Sequence, residues 1–189
     1  TETIDVELPE EADCQIITSA PADSKSVAEI ATQLCAAEYP LIVAGHDLSE
    51  QGVAYLVSIS EKLAIPVVQE PMAPRLRFPT NHKYYMGPIE LNHEIVKLSD
   101  MILVAGGSFF VEMNIKPLPY KEGANIYYIS QKLAEVGKPF PPKKAIIADP
   151  NITLMELDKE LKSSSILNDK IEARIRLIEE KKEKGEKED

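Results

Sequence analysis

Short runs of apolar residues alternate along this chain with segments of helical periodicity. The runs lie at residues 40–45, 66–68, 101–105, 126–129 and 145–148. Their near-continuous apolar character is typical of strands buried on both faces of a parallel sheet. Strands that alternate with helices form right-handed βα units, so we predict an α/β fold: a doubly wound, open parallel sheet of five to six strands in a three-layer, Rossmann-like α/β/α arrangement. A closed eight-stranded barrel needs more strands than the chain supplies.

Helical segments fill the spaces between these strands. Ser26 and Glu29 have the spacing of a capping box, and so do Thr153 and Glu156. The proline-rich stretch 70–85 is predicted to be a long loop. The predicted helices span residues 26–37, 49–64, about 90–98, and a segment that begins after 149–151.

The chain after Pro150 contains no proline and is predicted to be helical. An apolar stripe runs along this otherwise charged tail at Leu167, Ile171, Ile175 and Ile178. Two interpretations remain open. The tail helix either packs on its own domain or connects to a neighbouring domain or subunit.

The charge balance excludes some classes of function. Acidic residues outnumber basic ones by 31 to 21, whereas a nucleic-acid-binding face needs basic residues to displace counterions.

No apolar run is long enough to cross a membrane, and the first residues do not have the pattern of a signal peptide. Cys14 and Cys35 form no CxxC pair. We therefore predict a cytoplasmic protein without disulfides and without nucleic-acid or membrane partners.

The segments after the predicted strands contain the candidate binding residues, because ligands of open α/β sheets bind beyond the carboxyl ends of the strands. Gly106 and Gly107 let a backbone approach closely and leave N–H groups free to hold a phosphate. No GxGxxG motif or P-loop is present, and small residues also allow tight turns. The candidate cofactor-binding residues are Gly45, His46, Gly106, Gly107, Ser108, Ser130 and Gln131.

No catalytic or metal-binding constellation is evident in the sequence. His46 directly follows a strand, where a lone histidine is either a ligand or a hydrogen-bonded loop residue. His82 and His93 have no cysteine or carboxylate at metal-ligand spacing. The GxSxG nucleophile elbow is also absent. We therefore predict no catalytic residue and no metal site in this chain.

The order of these elements resembles a known family. The segments that carry the resemblance are AAEYPLIVAGHD, LAIPVVQE, FPTNHKYYMG, KLSDMILVAGGSFF, NIYYIS and IIADPNITLMELDKEL. They are similar to the central domain of thiamine-diphosphate-dependent enzymes of the acetolactate synthase, pyruvate decarboxylase and benzoylformate decarboxylase group. The resemblance implies that residues 1–19 are an entry linker from a preceding pyrimidine-binding domain, 20–162 the central domain, and 163–189 a helical linker or tail.

Enzymes of this family have three domains, and the other two hold thiamine diphosphate and Mg²⁺. The Gly-Asp-Gly motif that binds the metal and the diphosphate does not occur in this chain. The resemblance therefore implies a non-catalytic central domain of an enzyme acting on 2-oxo acids, such as an acetolactate synthase or a decarboxylase. We expect the chain to be inactive alone, to pack against the other two domains and to form a homo-oligomer. Its first residue, Thr1, is then expected to be a cut end.

Central domains of the family differ in what they bind. The resemblance implies FAD in acetolactate synthases, ADP in oxalyl-CoA decarboxylases and no ligand in several decarboxylases. Here Gly45-His46-Asp47 replaces a glycine-rich turn, the segment after Gly107 lacks the Arg and Asp of flavin-binding members, and Ser130-Gln131 replaces an acidic residue. We expect no cofactor in this chain, with FAD or ADP as the alternatives. A second hypothesis is a free-standing FAD- or NAD-binding module, as in electron-transfer flavoproteins.

Overall fold

A computed structural model describes residues 19–109, 120–137, 140–162 and 168–185 of the chain. Strands β1 to β6 span Pro40–Ala44, Val67–Gln69, Tyr85–Pro88, Met101–Ala105, Asn125–Ser130 and Lys144–Ile147. Helices α1 to α5 span Ser24–Ala36, Glu50–Leu63, His93–Leu98, Pro150–Lys162 and Asn168–Gly185. None of the helices in these ranges is both long enough and apolar enough to cross a membrane.

The described strands form one six-stranded parallel sheet in the order β3-β2-β1-β4-β5-β6. β1 and β4 are neighbours at its centre, with Ile42 opposite Leu103, although α2, β2, β3 and α3 separate them along the chain. The chain therefore builds one half of the sheet outward from β1 and the other half outward from β4. This topology confirms the predicted doubly wound, open parallel sheet.

β3 begins at the end of the segment that the sequence predicts to be a loop. Its residues pair with β2, with a register shift between Val67 and Val68. The sequence pattern does not predict this strand because Gly87, at φ +93°, and Pro88 both disfavour strand interiors. Pro88 is tolerated because β3 lies at the edge of the sheet, where a proline lacking an N–H breaks no ladder.

Helices and loops cover both faces of the sheet and bury an apolar layer on each. On one face α1, α2 and α4 pack over the strands, and the buried side chains include Leu34, Leu56, Leu103, Tyr127 and Leu157. On the other face Ile95 and Val96 of α3 and the loop residues Phe109 and Phe140 cover the strands, and they pack with Tyr128 of β5. The predicted three-layer α/β/α arrangement is therefore present.

Asp23 caps α1, so the predicted capping box at Ser26 and Glu29 is wrong. The Asp23 carboxylate accepts the Ser26 N–H at 3.0 Å and the Ser26 hydroxyl at 2.6 Å. Ser26 therefore lies inside the first turn, where its own N–H needs a cap. Glu29 instead accepts hydrogen bonds from the Tyr127 hydroxyl at 3.1 Å and the Lys144 ammonium at 2.6 Å, which ties α1 to β5 and β6.

The start of α4 also differs from its predicted capping box. Asp149, rather than Thr153, accepts a first-turn hydrogen bond, from the Asn151 N–H at 2.8 Å. The Thr153 hydroxyl oxygen instead accepts the Ala22 N–H at 3.0 Å. Thr153 therefore fixes the segment that leads into α1 against α4.

A buried arginine anchors the C-terminal helix. Arg174 is 1% exposed, and its guanidinium donates to the Leu63 carbonyl at 2.7 Å and to the Leu34 and Ala37 carbonyls at 3.0 and 2.5 Å. Carbonyls in the last turn of a helix have no intrahelical donor and lie at the negative end of the helix dipole. Arg174 of α5 therefore caps the ends of both α1 and α2.

The apolar stripe of the tail packs on the same domain. Ile178 is buried with Ala64 and Tyr84, and Ile171 and Ile175 are partly buried against this cluster. Leu167 lies outside the described residues. The structure agrees with the first of the two interpretations of the tail, in which the helix packs on its own domain.

Replacing Arg174 with Met should destabilise the domain by about 2–4 kcal/mol, because it leaves buried carbonyls at two helix ends without a donor. The matched control is Arg176→Met on the same helix. The Arg176 side chain is 75% exposed and pairs with Glu172 one turn earlier on the helix surface, so this change should stay within about 0.5 kcal/mol. Urea unfolding followed by circular dichroism measures both. Equal losses in the two variants would contradict the capping role.

The environment of Tyr127 leads us to predict that the domain loses stability at high pH. Burial, together with the hydrogen bond to Glu29, raises its pKa to about 12. In the unfolded chain a tyrosine has a pKa of about 10. The folded state therefore keeps a proton that the unfolded state loses, and stability decreases between these two values. With Tyr127→Phe, the free energy of unfolding should fall less steeply as the pH rises through this window. An unchanged slope in urea titrations would count against the assignment.

Candidate functional site

The candidate site lies where the carboxyl ends of the central strands meet. β1 and β4 are adjacent, and the chain leaves them in opposite directions, which opens a crevice of the kind in which ligands bind to doubly wound sheets. The segments at this crevice follow β1, β2, β4 and β5, and they are residues 45–47, 70–78, 106–108 and 131–132.

The Glu70 carboxylate occupies the centre of this crevice. Glu70 is 3% exposed. Its Oε1 accepts hydrogen bonds from the His46 backbone N–H at 2.5 Å and from His46 Nδ1 at 2.7 Å, and its Oε2 accepts the Ser108 N–H at 2.9 Å. Three donors from two different loops therefore converge on one side chain. A buried carboxylate is stable only with such complete hydrogen bonding.

Glycines make this convergence sterically feasible. A Cβ atom on Gly45 would lie 2.1 Å from the Gly106 carbonyl oxygen, because the loops after β1 and β4 touch backbone to backbone. A Cβ atom on Gly107 would lie 2.3 Å from Glu70 Oε2. Gly106 has a φ of +66°, in the left-handed region that favours glycine. These glycines therefore admit the chain's own carboxylate and bring the loops together.

His46 joins the Glu70 centre to the loop after β5. A carboxylate only accepts, so the His46 Nδ1 beside Glu70 carries a hydrogen. In the neutral ring the Nε2 lone pair then faces Lys132 Nζ, 3.3 Å away. Lys132 also donates to Asp47 Oδ1 at 3.0 Å. The side chains of His46, Asp47 and Lys132 therefore close the mouth of the crevice on the β5 side.

Arg77 closes the opposite side. Its Nε donates to the His46 carbonyl at 3.1 Å, and its backbone N–H donates to Gln69 Oε1 at 3.1 Å. Gln69 Nε2 in turn donates to the Ala44 carbonyl at 2.8 Å. The proline-rich loop after β2 is thereby fixed against the end of β1.

The structure brings most of the predicted site residues together. Gly45, His46, Gly106, Gly107 and Ser108 surround the crevice. Ser130 is buried beside it, and its hydroxyl oxygen accepts the Lys132 N–H at 3.0 Å. Gln131 is exposed and directly follows β5. The cofactor-binding role assigned to these seven residues stays a prediction.

Five residues of the site are not among the seven predicted cofactor-binding residues: Asp47, Gln69, Glu70, Arg77 and Lys132. Asp47, Gln69 and Glu70 lie in the strand-end segments that the sequence marks for ligand binding. Glu70 carries a sequence signal, since it is an acidic residue placed directly after a buried strand whose neighbour ends in glycine. Arg77 and Lys132 carry none, because they reach His46 from loops 31 and 86 residues away along the chain.

The donor set of the crevice does not fit a nucleotide phosphate as it stands. The two backbone N–H groups that would hold an oxyanion already donate to Glu70. Within residues 19–109, 120–137, 140–162 and 168–185, no group of three or more His, Cys, Asp or Glu side chains is placed to hold a metal ion.

Comparison with known proteins identifies the family. Residues 27–157 match the model of the thiamine pyrophosphate enzyme central domain, so the chain belongs to this family. Its sequence is 27% identical over 147 residues to benzoylformate decarboxylase of Pseudomonas aeruginosa, an alignment that covers 74% of this chain and 27% of that protein. The family resemblance seen in the sequence is thereby confirmed.

Solved structures share the fold. Benzoylformate decarboxylase from Polynucleobacter necessarius superposes with a TM-score of 0.71 at 24% identity, over 86% of this chain and 32% of that one. The thiamine diphosphate-dependent 4-hydroxybenzoylformate decarboxylase of Rhodococcus jostii RHA1 gives 0.70 at 23% identity, over 82% and 30%. The chain thus spans about a third or less of the length of these relatives.

Replacing Gly45 with Ala should destabilise the domain by about 3 kcal/mol, because its Cβ would meet backbone atoms that cannot rotate away. Gly123→Ala is the matched control. A Cβ atom on Gly123 would meet nothing within 4 Å, so only the strain of its φ of +81° opposes the change. The control should lose about 1 kcal/mol in urea unfolding. A Gly45→Ala variant as stable as the control would show that the two loops do not touch.

Proposed function

We propose that this chain is a non-catalytic central domain of a thiamine-diphosphate-dependent enzyme acting on 2-oxo acids, and that its strand-end crevice binds no nucleotide. Membership of the central-domain family supports the first part. The second part rests on one observation: the buried Glu70 carboxylate takes up the amide donors of the crevice.

Electrostatics support a crevice closed to FAD, ADP and NAD. The pyrophosphate of a dinucleotide would lie against the Glu70 carboxylate, with Asp47 at the mouth of the same crevice. Repulsion between charges in a buried, low-dielectric place is weakly screened by solvent. The direct contact between Gly45 and Gly106 also leaves no space between the two loops for a phosphate to enter.

The relatives suggest the reaction of the parent enzyme. They are named as benzoylformate and 4-hydroxybenzoylformate decarboxylases, so we propose decarboxylation of a 2-oxo acid, with carboligation of the acetolactate synthase type as the alternative. Thiamine diphosphate and Mg²⁺ would be held by the other two domains. When bound, that cofactor stabilises the carbanion formed as carbon dioxide leaves.

Exposed apolar side chains beyond the carboxyl ends of the strands support a role in packing against other domains or subunits. Met72 and Leu76 follow β2 and Leu133 follows β5, and they are 78%, 59% and 70% exposed. Met72 is also held at φ +52°, a backbone conformation that is unfavourable for a residue with a side chain. Exposed apolar side chains grouped at one edge are typical of a contact surface.

For the domain boundaries we propose residues 20–162 as the central domain, with 1–19 entering from a preceding domain. Residues 163–189 then form a C-terminal extension. The contacts of Arg174 with the ends of α1 and α2 support an extension whose helix is fixed to the central domain.

The purified chain should therefore show no saturable binding of FAD, ADP, NAD or thiamine diphosphate with Mg²⁺, at ligand concentrations up to about 1 mM. Isothermal titration calorimetry measures this, and a urea transition on the same sample shows that the domain is folded. The chain alone should also release no carbon dioxide from benzoylformate in the presence of thiamine diphosphate and Mg²⁺.

Yellow protein, or saturable binding of FAD, ADP or NAD, would contradict the closed crevice and favour a nucleotide-binding central domain. Decarboxylation by the chain alone would contradict the non-catalytic role. These two outcomes are independent of each other, so each part of the proposal is tested separately.

A further inference from the structure

Glu70 makes the contacts of a bound ligand. Its carboxylate receives the His46 N–H, the His46 Nδ1–H and the Ser108 N–H, all within 2.5 to 2.9 Å. Backbone N–H groups that converge from separate loops are the usual means by which proteins hold an oxyanion. Here the oxyanion belongs to the chain itself.

The donors are held in place by bonds that do not involve the Glu70 side chain. The Gly45 N–H donates to the Ala105 carbonyl, the Asp47 N–H to the Gly106 carbonyl and the Gly106 N–H to the Ile129 carbonyl, each at 2.9 Å. These bonds fix the loop on both sides of the His46 amide and at Gly106, two residues before the Ser108 amide. The anion cradle, defined as these two amides and His46 Nδ1, should therefore persist when residue 70 is shortened.

We infer that the anion cradle is an oxyanion-binding site whose resident ligand is the Glu70 carboxylate, and that Glu70→Ala opens it to a small free oxyanion. This inference rests on the proposed function only in that the crevice of the unmodified chain is closed. The group that Glu70→Ala removes beyond Cβ is CH₂–COO⁻, which has the size and charge of acetate. Acetate is therefore the probe.

Hydrogen-bond geometry favours acetate over chloride in the opened cradle. A carboxylate accepts hydrogen bonds through two oxygens, so Oε1 and Oε2 can both be replaced, whereas chloride supplies one centre. Both anions carry the single negative charge of the removed group beside Lys132 and Arg77, so the comparison isolates this geometry. An apparent dissociation constant on the order of 10 mM is reasonable for a ligand of so few atoms.

The experiment is urea unfolding of Glu70→Ala at pH 7 and fixed ionic strength, with acetate exchanged for chloride. At 100 mM acetate the folding equilibrium constant should rise roughly tenfold. The unmodified chain and the Glu61→Ala variant should not respond. Glu61 is a half-exposed glutamate on α2 that faces His82 and is remote from the cradle, which makes it a matched control. Glu70→Gln, whose side chain still fills the cradle, should not respond either.

A rise of equal size in all four proteins would be a general salt effect and would overturn the inference, as would no rise in Glu70→Ala. Should Glu70→Ala fail to fold in chloride, refolding it from urea in acetate and in chloride decides the question. Recovery only in acetate supports the cradle, and no recovery in either overturns it. A negative result for the anion cradle does not change the outcome of the nucleotide titrations, since those use the unmodified chain.

Discussion

The strand-end crevice is organised around one buried carboxylate. Glu70 follows β2, yet its hydrogen-bond partners lie in the loops after β1 and β4, so a single charge links the ends of three neighbouring strands whose loops backbone hydrogen bonds also hold. Burying a carboxylate is unfavourable unless hydrogen-bond donors satisfy it. Removing those donors while the carboxylate stays buried is more destabilising than replacing the carboxylate and its partners together by apolar groups. The glycines at the ends of β1 and β4 are the steric counterpart of that charge, because a side chain at Gly45 or Gly107 would displace a backbone or the carboxylate.

Much of the fold is predictable because it depends on local patterns. Buried parallel strands are near-continuous apolar runs, and five of the six strands appear as such in the sequence. β3 is the exception, since an edge strand containing Gly87 and Pro88 has no apolar run to recognise. The helix caps at Asp23 and Asp149 are not predicted, because Ser26 and Thr153 have capping-box spacing in the sequence. Long-range contacts redirect one of these side chains, since the Thr153 hydroxyl accepts the Ala22 N–H.

The site is only partly predictable, because its arrangement depends on contacts between residues that are far apart in the sequence. Glycine after a strand indicates close backbone approach, and that part of the interpretation agrees with the packing of Gly45 and Gly107. The same pattern does not reveal whether the approaching group is a phosphate or a side chain of the protein. Glu70 lies 24 residues from His46 and 38 from Ser108, so nothing local links them. In this chain the difference between the two interpretations comes down to one acidic residue at the end of β2.

The position of Arg174 has a consequence for how the domain opens. Its guanidinium bonds both the α1 and the α2 ends, so α5 cannot leave the surface without exposing the carbonyls of two other helices at once. Opening of the C-terminal helix is therefore coupled to fraying of α1 and α2 and not confined to a terminus. In hydrogen-exchange terms, we expect the amides of α5 near Arg174 and those of the last turns of α1 and α2 to form one cooperative unit. The exchange protection of α5 should then match that of the helix ends it caps.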